Sequence, residues 1–149
     1  MKNYLVIGDP IEHSLSPELH NYWIKKCNIN AVYSKKLVIK NDLENLILKI
    51  RRNEIDGVNV TVPHKREVIK YLDELSPESE KTQSVNTILK KKDKVVGHNT
   101  DIAGFELSLK HSKYDLKDKK VLIIGAGGVV PSIIYAIEKS KAKEIFLMN

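Results

Sequence analysis

The sequence predicts an α/β protein: a mostly parallel sheet built from alternating strands and helices, followed by the first part of a second α/β unit. Three observations carry this. Short Val- and Ile-rich runs alternate with helical patterns through the first half of the chain. "ILKKKDKVVG" then reads as a hairpin, two strands around a Lys-Asp turn. A strand, a glycine turn, a helix and a strand close the 149 residues.

Strands are expected near residues 3–8, 31–39, 57–62, 85–90 and 94–98, where apolar residues alternate or run together. "SPELHNYWIKKC" predicts the first helix, with Ser16 as its N-cap and Pro17 at the first helical position. "NDLENLILKIRR" sets Leu43, Leu46, Ile47 and Ile50 on one apolar stripe. "HKREVIKYL" predicts a third helix, with Val68, Tyr71 and Leu72 facing inward. This βαβαβα order favours helices on both faces of a largely parallel sheet. "TDIAGFELSLKHS" predicts a helix capped by Thr100 or Asp101 that links two domains, residues 1–101 and 102–149. The second holds only two strands, which cannot bury both of their faces, so the sequence is expected to be truncated.

Composition narrows the partners. The chain is 42% hydrophobic and 30% charged, the pattern of a globular protein. Its net charge of +6 comes mostly from scattered lysines, and aromatics make up only 6%, with none inside the lysine clusters. That argues against a nucleic-acid surface, though the surplus can attract small anions. No run approaches the roughly 20 apolar residues of a membrane span. The N-terminus lacks the pattern of a signal peptide, and the single Cys27 excludes an internal disulfide framework. The expectation is a cytoplasmic protein with a small-molecule substrate, no membrane and no nucleic acid. His13 and His20 lack metal-ligand spacing, read as structural, and leave no metal site.

Several motifs carry chemistry. "GAGG" follows the apolar strand 121–124 and precedes a helical pattern. Gly125 permits the tight turn and Gly127 a close backbone approach, so the motif reads either as a plain structural turn or as a site where a pyrophosphate would sit at the helix N-terminus. Val130 replaces the third glycine of G-x-G-x-x-G, and Pro131 falls in the first helical turn. Asn149 stands where an acidic residue would bind the 2′-hydroxyl of NAD, which favours NADP. In "NVTVPHKREV" a strand stops at Pro63 and Lys65 follows. Lys65 reads either as a solvated lysine on a first helical turn or as the edge of an active site; Arg66 reads as solvated. Thr61 and Asn59 alternate with the valines and share a face. Ser14 and Ser16 are an N-cap with a spare hydroxyl, or a pair that holds a carboxylated or polyhydroxylated ligand. Asn86 and Asp101 lie near hairpin ends, as turn or cap residues, or as partners of Lys65 in proton exchange.

Taken in order, "GDPIEHSLSPELHN", "GVNVTVPHK", "SVNTI", "GHNTDIAGF" and "GAGG" resemble shikimate dehydrogenase across essentially the whole chain. The resemblance implies an N-terminal α/β substrate domain, a C-terminal Rossmann domain, and NADPH-dependent reduction of 3-dehydroshikimate to shikimate in chorismate and aromatic amino acid biosynthesis. It implies Lys65 and Asp101 as the catalytic pair. Ser14 and Ser16 would hold the substrate carboxylate, and Thr61 and Asn86 the carboxylate or ring hydroxyls. Gly125, Ala126, Gly127, Gly128 and Val129 would cradle the NADP pyrophosphate. Asn149 would open the family's Asn-Arg-Thr motif, whose arginine binds the 2′-phosphate. Gln83 and Ser84 replace the usual Gly-Ala before Val-Asn-Thr. The Arg-Thr, the remaining Rossmann strands and the C-terminal helix with its substrate-binding Gln are missing. Alternatives are a quinate/shikimate dehydrogenase using NAD, or an inactive truncated ligand-binding fragment; a homodimer is open.

Overall fold

In the computed structural model, which describes residues 1–149, β1 (Lys2–Gly8) lies between β2 (Ala31–Leu37) and β3 (Gly57–Val60), parallel to both. Its side chains alternate between the two faces of the sheet. Leu5 and Ile7 enter the main core, while Val6 packs with Ile11 and Tyr33 on the other side. Helix α1 (Ser16–Lys26) lies beside β2 and sends Ile24 to the smaller cluster. Helix α2 (Leu43–Arg51) lays its predicted stripe, Leu43, Leu46, Ile47 and Ile50, into the main core. Both faces are covered by helix, as the alternating pattern requires.

Beyond β3 the sheet turns antiparallel. A two-residue strand β4 (Glu74–Leu75) and a short helix α3 (Pro77–Thr82) precede the hairpin of β5 (Thr87–Lys91) and β6 (Lys94–His98). The hairpin pairs back on β3, giving the order β2-β1-β3-β5-β6-β4 with β5 alone antiparallel to its neighbours. Helix α4 (Asp101–His111) leads to a separate two-stranded parallel sheet, β7 (Lys120–Ile124) and β8 (Glu144–Met148), joined through α5 (Val130–Lys139). The hairpin and the strand–turn–helix–strand unit thus form where the sequence places them.

Four local expectations are corrected. Ser16 is the first residue of α1, not its cap; Leu15 precedes the helix without a side-chain cap, and Ser14 Oγ accepts the Ser16 N–H at 3.4 Å. The expected strand 57–62 stops at Val60, and Val62 is exposed. The third helix is a 3₁₀ turn over Glu67–Tyr71, with Val68 buried and Tyr71 and Leu72 half-buried. It ends because Asp73 is claimed by the hairpin: its N–H bonds the Val95 carbonyl and its carboxylate accepts the Val95 N–H at 2.7 Å. Finally, β4 and α3 are not among the expected elements. The signal for α3 was present in "SPES", where Ser76 caps the Ser79 N–H at 3.3 Å and Pro77 opens the helix. A strand of two residues has no period to detect.

Asp73 also receives a two-pronged contact from Arg51 at the end of α2. Hydrogen bonds from Arg51 and from the Val95 N–H hold its carboxyl below the usual carboxylate range. A depressed folded-state pKa stabilises the fold above the unfolded value, about 3.9, and the contribution fades as pH falls below it. Asp73→Asn is therefore expected to lower Tm at pH 7, with the gap to wild type closing in acid. An equal Tm difference at pH 7 and pH 3 would remove charge as the cause.

Candidate active site

Four connections meet at one edge of the larger sheet. β1 and β3 are parallel, so the loops after Gly8 and Val60 leave on the same side. β5 is antiparallel to β3, which brings its start, and Asn86 before it, to that side. β6 runs back along β5 and delivers Asn99, Thr100 and Asp101 there. Ligands of open α/β sheets sit at such strand ends. The first two loops touch at Gly8, where a Cβ would lie 2.7 Å from Thr61 Cγ2 and 2.9 Å from the Val62 carbonyl oxygen. A larger residue would push the backbone that carries Thr61 and Lys65.

Lys65 and Asp101 meet at this edge. Lys65 Nζ lies 2.7 Å from Asp101 Oδ2, with the side chains 12% and 22% exposed. Asp101 opens α4, where the helix dipole favours a carboxylate. Its other oxygen accepts from Asn86 Nδ2 at 2.9 Å. The Asn86 amide cannot turn over, because its Oδ1 accepts the Thr100 N–H and the Thr87 hydroxyl, both at 3.0 Å. Thr87 Oγ1 accepts from Asn59 Nδ2 at 3.0 Å, and Asn59 Oδ1 accepts from the Tyr33 hydroxyl at 2.7 Å. A continuous chain of hydrogen bonds therefore runs from β2 to the lysine.

Burial pushes the Tyr33 hydroxyl up to about 12, so it remains a donor at any working pH. His20 stacks flat on the Tyr33 ring, centroids 4.1 Å apart, and burial holds it below the ordinary imidazole range. The structural reading of His20 agrees with this packing. Beside Lys65, His64 is buried and its Nε2–H donates to the Val38 carbonyl at 2.6 Å, while the Lys65 carbonyl accepts the Val85 N–H at 2.8 Å. Lys65 thus projects from a backbone held on both sides.

Ser14, Ser16 and Thr61 occupy the same edge without bonding to the pair. All three are half-buried, and the hydroxyls of Ser16 and Thr61 make no hydrogen bond within the chain. Sequence reasoning assigned no role to Tyr33 or Thr87 and noted only that Asn59 shares a face with Thr61. The strand alternation that finds Asn59 does not reveal its partners, which depend on the register of β3 against β5.

The glycine turn faces this edge. Ser84 Oγ lies 3.5 Å from the Gly128 carbonyl oxygen, and a cavity of about 780 Å³ separates the Lys65 loop from the turn. Lys65, Pro63, Ala126, Gly127 and Gly128 line it, and so does the exposed Arg66. Gly125 has φ +104°, the left-handed conformation its turn needs, and the positions of Gly127 and Gly128 open onto free space. The N–H groups of Gly127, Gly128 and Val129 bond nothing within the chain, at the start of α5. Such a donor set fits a dinucleotide pyrophosphate. The Gly125 N–H bonds the Met148 carbonyl at 2.7 Å, which sets Asn149 beside the turn.

The chain is 56% identical over 148 residues to a shikimate dehydrogenase (NADP(+)) of Pelagibacter ubique, covering 99% of this chain and 56% of the relative. A shikimate 5-dehydrogenase from Listeria monocytogenes, solved with shikimate and NAD, is 35% identical with TM-score 0.90, covering 99% of this chain and 51% of that one. The Thermus thermophilus enzyme, solved with NADP(H) and shikimate, is 30% identical with TM-score 0.89, covering 99% and 56%. The chain spans about half the length of the curated relatives it matches. Residues 6–88 match the family described as the shikimate dehydrogenase substrate binding domain, and the chain belongs to that family.

Proposed function

We propose that this chain supplies the substrate side and the first cofactor-binding unit of an NADP-dependent shikimate dehydrogenase, an oxidoreductase acting on CH–OH that interconverts 3-dehydroshikimate and shikimate. The observation that carries the reading is the Lys65–Asp101 pair, 2.7 Å apart and held by Asn86 at the sheet edge. When bound, NADPH supplies the hydride to the substrate carbonyl carbon. Lys65 donates a proton from Nζ to the carbonyl oxygen, and in the reverse direction takes it back. Asp101 holds that ammonium in place and accepts from a neighbouring substrate hydroxyl. The free hydroxyls of Ser16 and Thr61, with Ser14, take the substrate carboxylate. The N–H groups around Gly127 and Gly128 take the pyrophosphate, and Asn149 leaves room for a 2′-phosphate.

On this reading residues 1–101 form the substrate domain and 102–149 begin the cofactor domain, in a cytoplasmic enzyme. A homodimer belongs to the same reading: α1 leaves Leu19, Tyr22 and Trp23 exposed, beside the unpaired edge of β2.

Thermal unfolding of this chain with shikimate and, separately, with NADP tests the assignment. Ligand at about 100 times Kd adds about 2.7 kcal/mol to the folded state. A rise in Tm with shikimate is the expected outcome, and no response to it would sink the claim that this half holds the substrate. Sedimentation of the same samples at the mass of a single chain would remove the dimer.

A further inference from the structure

Asn99, the residue between β6 and the Thr100–Asp101 step, is 6% exposed and belongs to none of the roles above. Its Nδ2 lies 2.7 Å from Ser132 Oγ, 3.0 Å from the Ser84 carbonyl oxygen and 3.1 Å from Thr82 Oγ1. Thr82 spends its own hydroxyl hydrogen on the Glu78 carbonyl at 2.7 Å, so toward Asn99 it can only accept. The amide has two hydrogens for these three acceptors, and Ser132 and Ser84 are the closer pair. On its other side Asn99 Oδ1 accepts the Asp101 N–H at 3.0 Å. Turning the amide over would set oxygen against the Ser84 carbonyl, so the orientation is fixed.

These partners come from three places. Ser84 leads into β5 just before Asn86, Ser132 is in the first turn of α5 behind the glycine turn, and the Asp101 N–H belongs to the lysine's partner. Ser132 and Ser84 are themselves fully buried. Other contacts also tie the small sheet's unit to this side of the larger sheet: Ser84 Oγ reaches the Gly128 carbonyl, α3 and α4 pack on α5, and Lys139 pairs with Glu106 at 2.6 Å.

We propose that Asn99 is a positioning residue that holds Asp101 in register with the glycine turn, so that the proton donor and the cofactor reach the substrate from matched positions. The inference rests on the dehydrogenase reading for its kinetic consequence, but not for its structural one. Asn99→Ala frees the Asp101 N–H and breaks the link to α5; Ser132→Ala breaks only the link.

Two measurements test it. In a full-length enzyme carrying this sequence, Asn99→Ala is expected to lower kcat at least tenfold and to move the pH profile of kcat. Ser132→Ala is expected to raise KM for NADP several-fold more than KM for shikimate. In the chain itself, amide hydrogen exchange at Asp101 should accelerate at least tenfold in Asn99→Ala. A variant that loses Tm while kcat, both KM values and the pH profile stay at wild type would overturn the proposal. So would an Asp101 amide whose exchange does not change. If Asn99→Ala fails to fold, Ser132→Ala decides: equal changes in the two KM values overturn the proposal. Absence of turnover in the wild-type enzyme would refute the dehydrogenase reading, and the Asp101 exchange would still decide the link.

Discussion

Lys65→Ala, in a full-length enzyme carrying this sequence, is expected to lower kcat by about 10²–10⁴-fold, the usual range for losing a positioned general acid. The fold should persist, because the backbone around the lysine is held independently of its side chain: its carbonyl accepts the Val85 N–H and its neighbour His64 is anchored on Val38. What disappears is the ammonium whose nitrogen lies 2.7 Å from Asp101 Oδ2, and with it the charge that balances a largely buried carboxylate. KM for shikimate should change less than kcat, since Ser14, Ser16 and Thr61 still present their hydroxyls. Steady-state oxidation of shikimate, followed by NADPH absorbance, reads both constants, and circular dichroism checks the fold. A kcat within a few-fold of wild type would move the proton transfer to another group.

Ile50→Ala is expected to act in the opposite way, costing about 2–5 kcal/mol of stability, the range for truncating a fully buried Ile or Leu. Ile50 is 0% exposed and belongs to the stripe that α2 presses into the main core with Ile88 and Val95. Domains are stable by about 5–15 kcal/mol in total, so this single truncation removes a large share. Urea unfolding should show a lower midpoint at an unchanged slope. Ligand affinity per folded molecule should stay near wild type, because α2 packs beneath the sheet and contributes no residue to the edge. A loss below about 1 kcal/mol would mean that the site collapses around the missing atoms.

The contrast between these two residues also explains what the sequence can disclose. Ile50 was legible because a helix repeats every 3.6 residues, so Leu43, Leu46, Ile47 and Ile50 announce a face without any knowledge of what covers it. The glycine turn was legible for a similar reason, since Gly125 must accept a backbone conformation that its neighbours cannot. Lys65 and Asp101 are 36 positions apart, and no local rule joins them. Their pairing could be read from the residues only as one of two open alternatives, and the resemblance chose between them. The bonds that hold Asn86 in place depend on strand order, and a hairpin inserted antiparallel beside β3 cannot be told by period alone from one more parallel strand. Ser16 was misplaced because Ser14, Ser16 and Pro17 all favour a helix start. The choice was settled by where the N–H of Ser16 finds an acceptor.

The β5–β6 hairpin has a consequence at its other end. Asn86 and Asn99 flank its open end, while the turn at Lys92 and Asp93 lies beyond a ladder that closes on the pair Lys91↔Lys94. Five paired positions at roughly 3.4 Å each separate the turn from the site, about 17 Å in all. Lys92 already adopts φ +56°, and the tip is solvent-exposed. Chain length can therefore vary at that tip, or foreign sequence be grafted there, without reaching the carboxylate, because the ladder transmits register but not loop length. The hairpin makes one end of the protein indifferent to insertion and the other intolerant of a single misplaced amide.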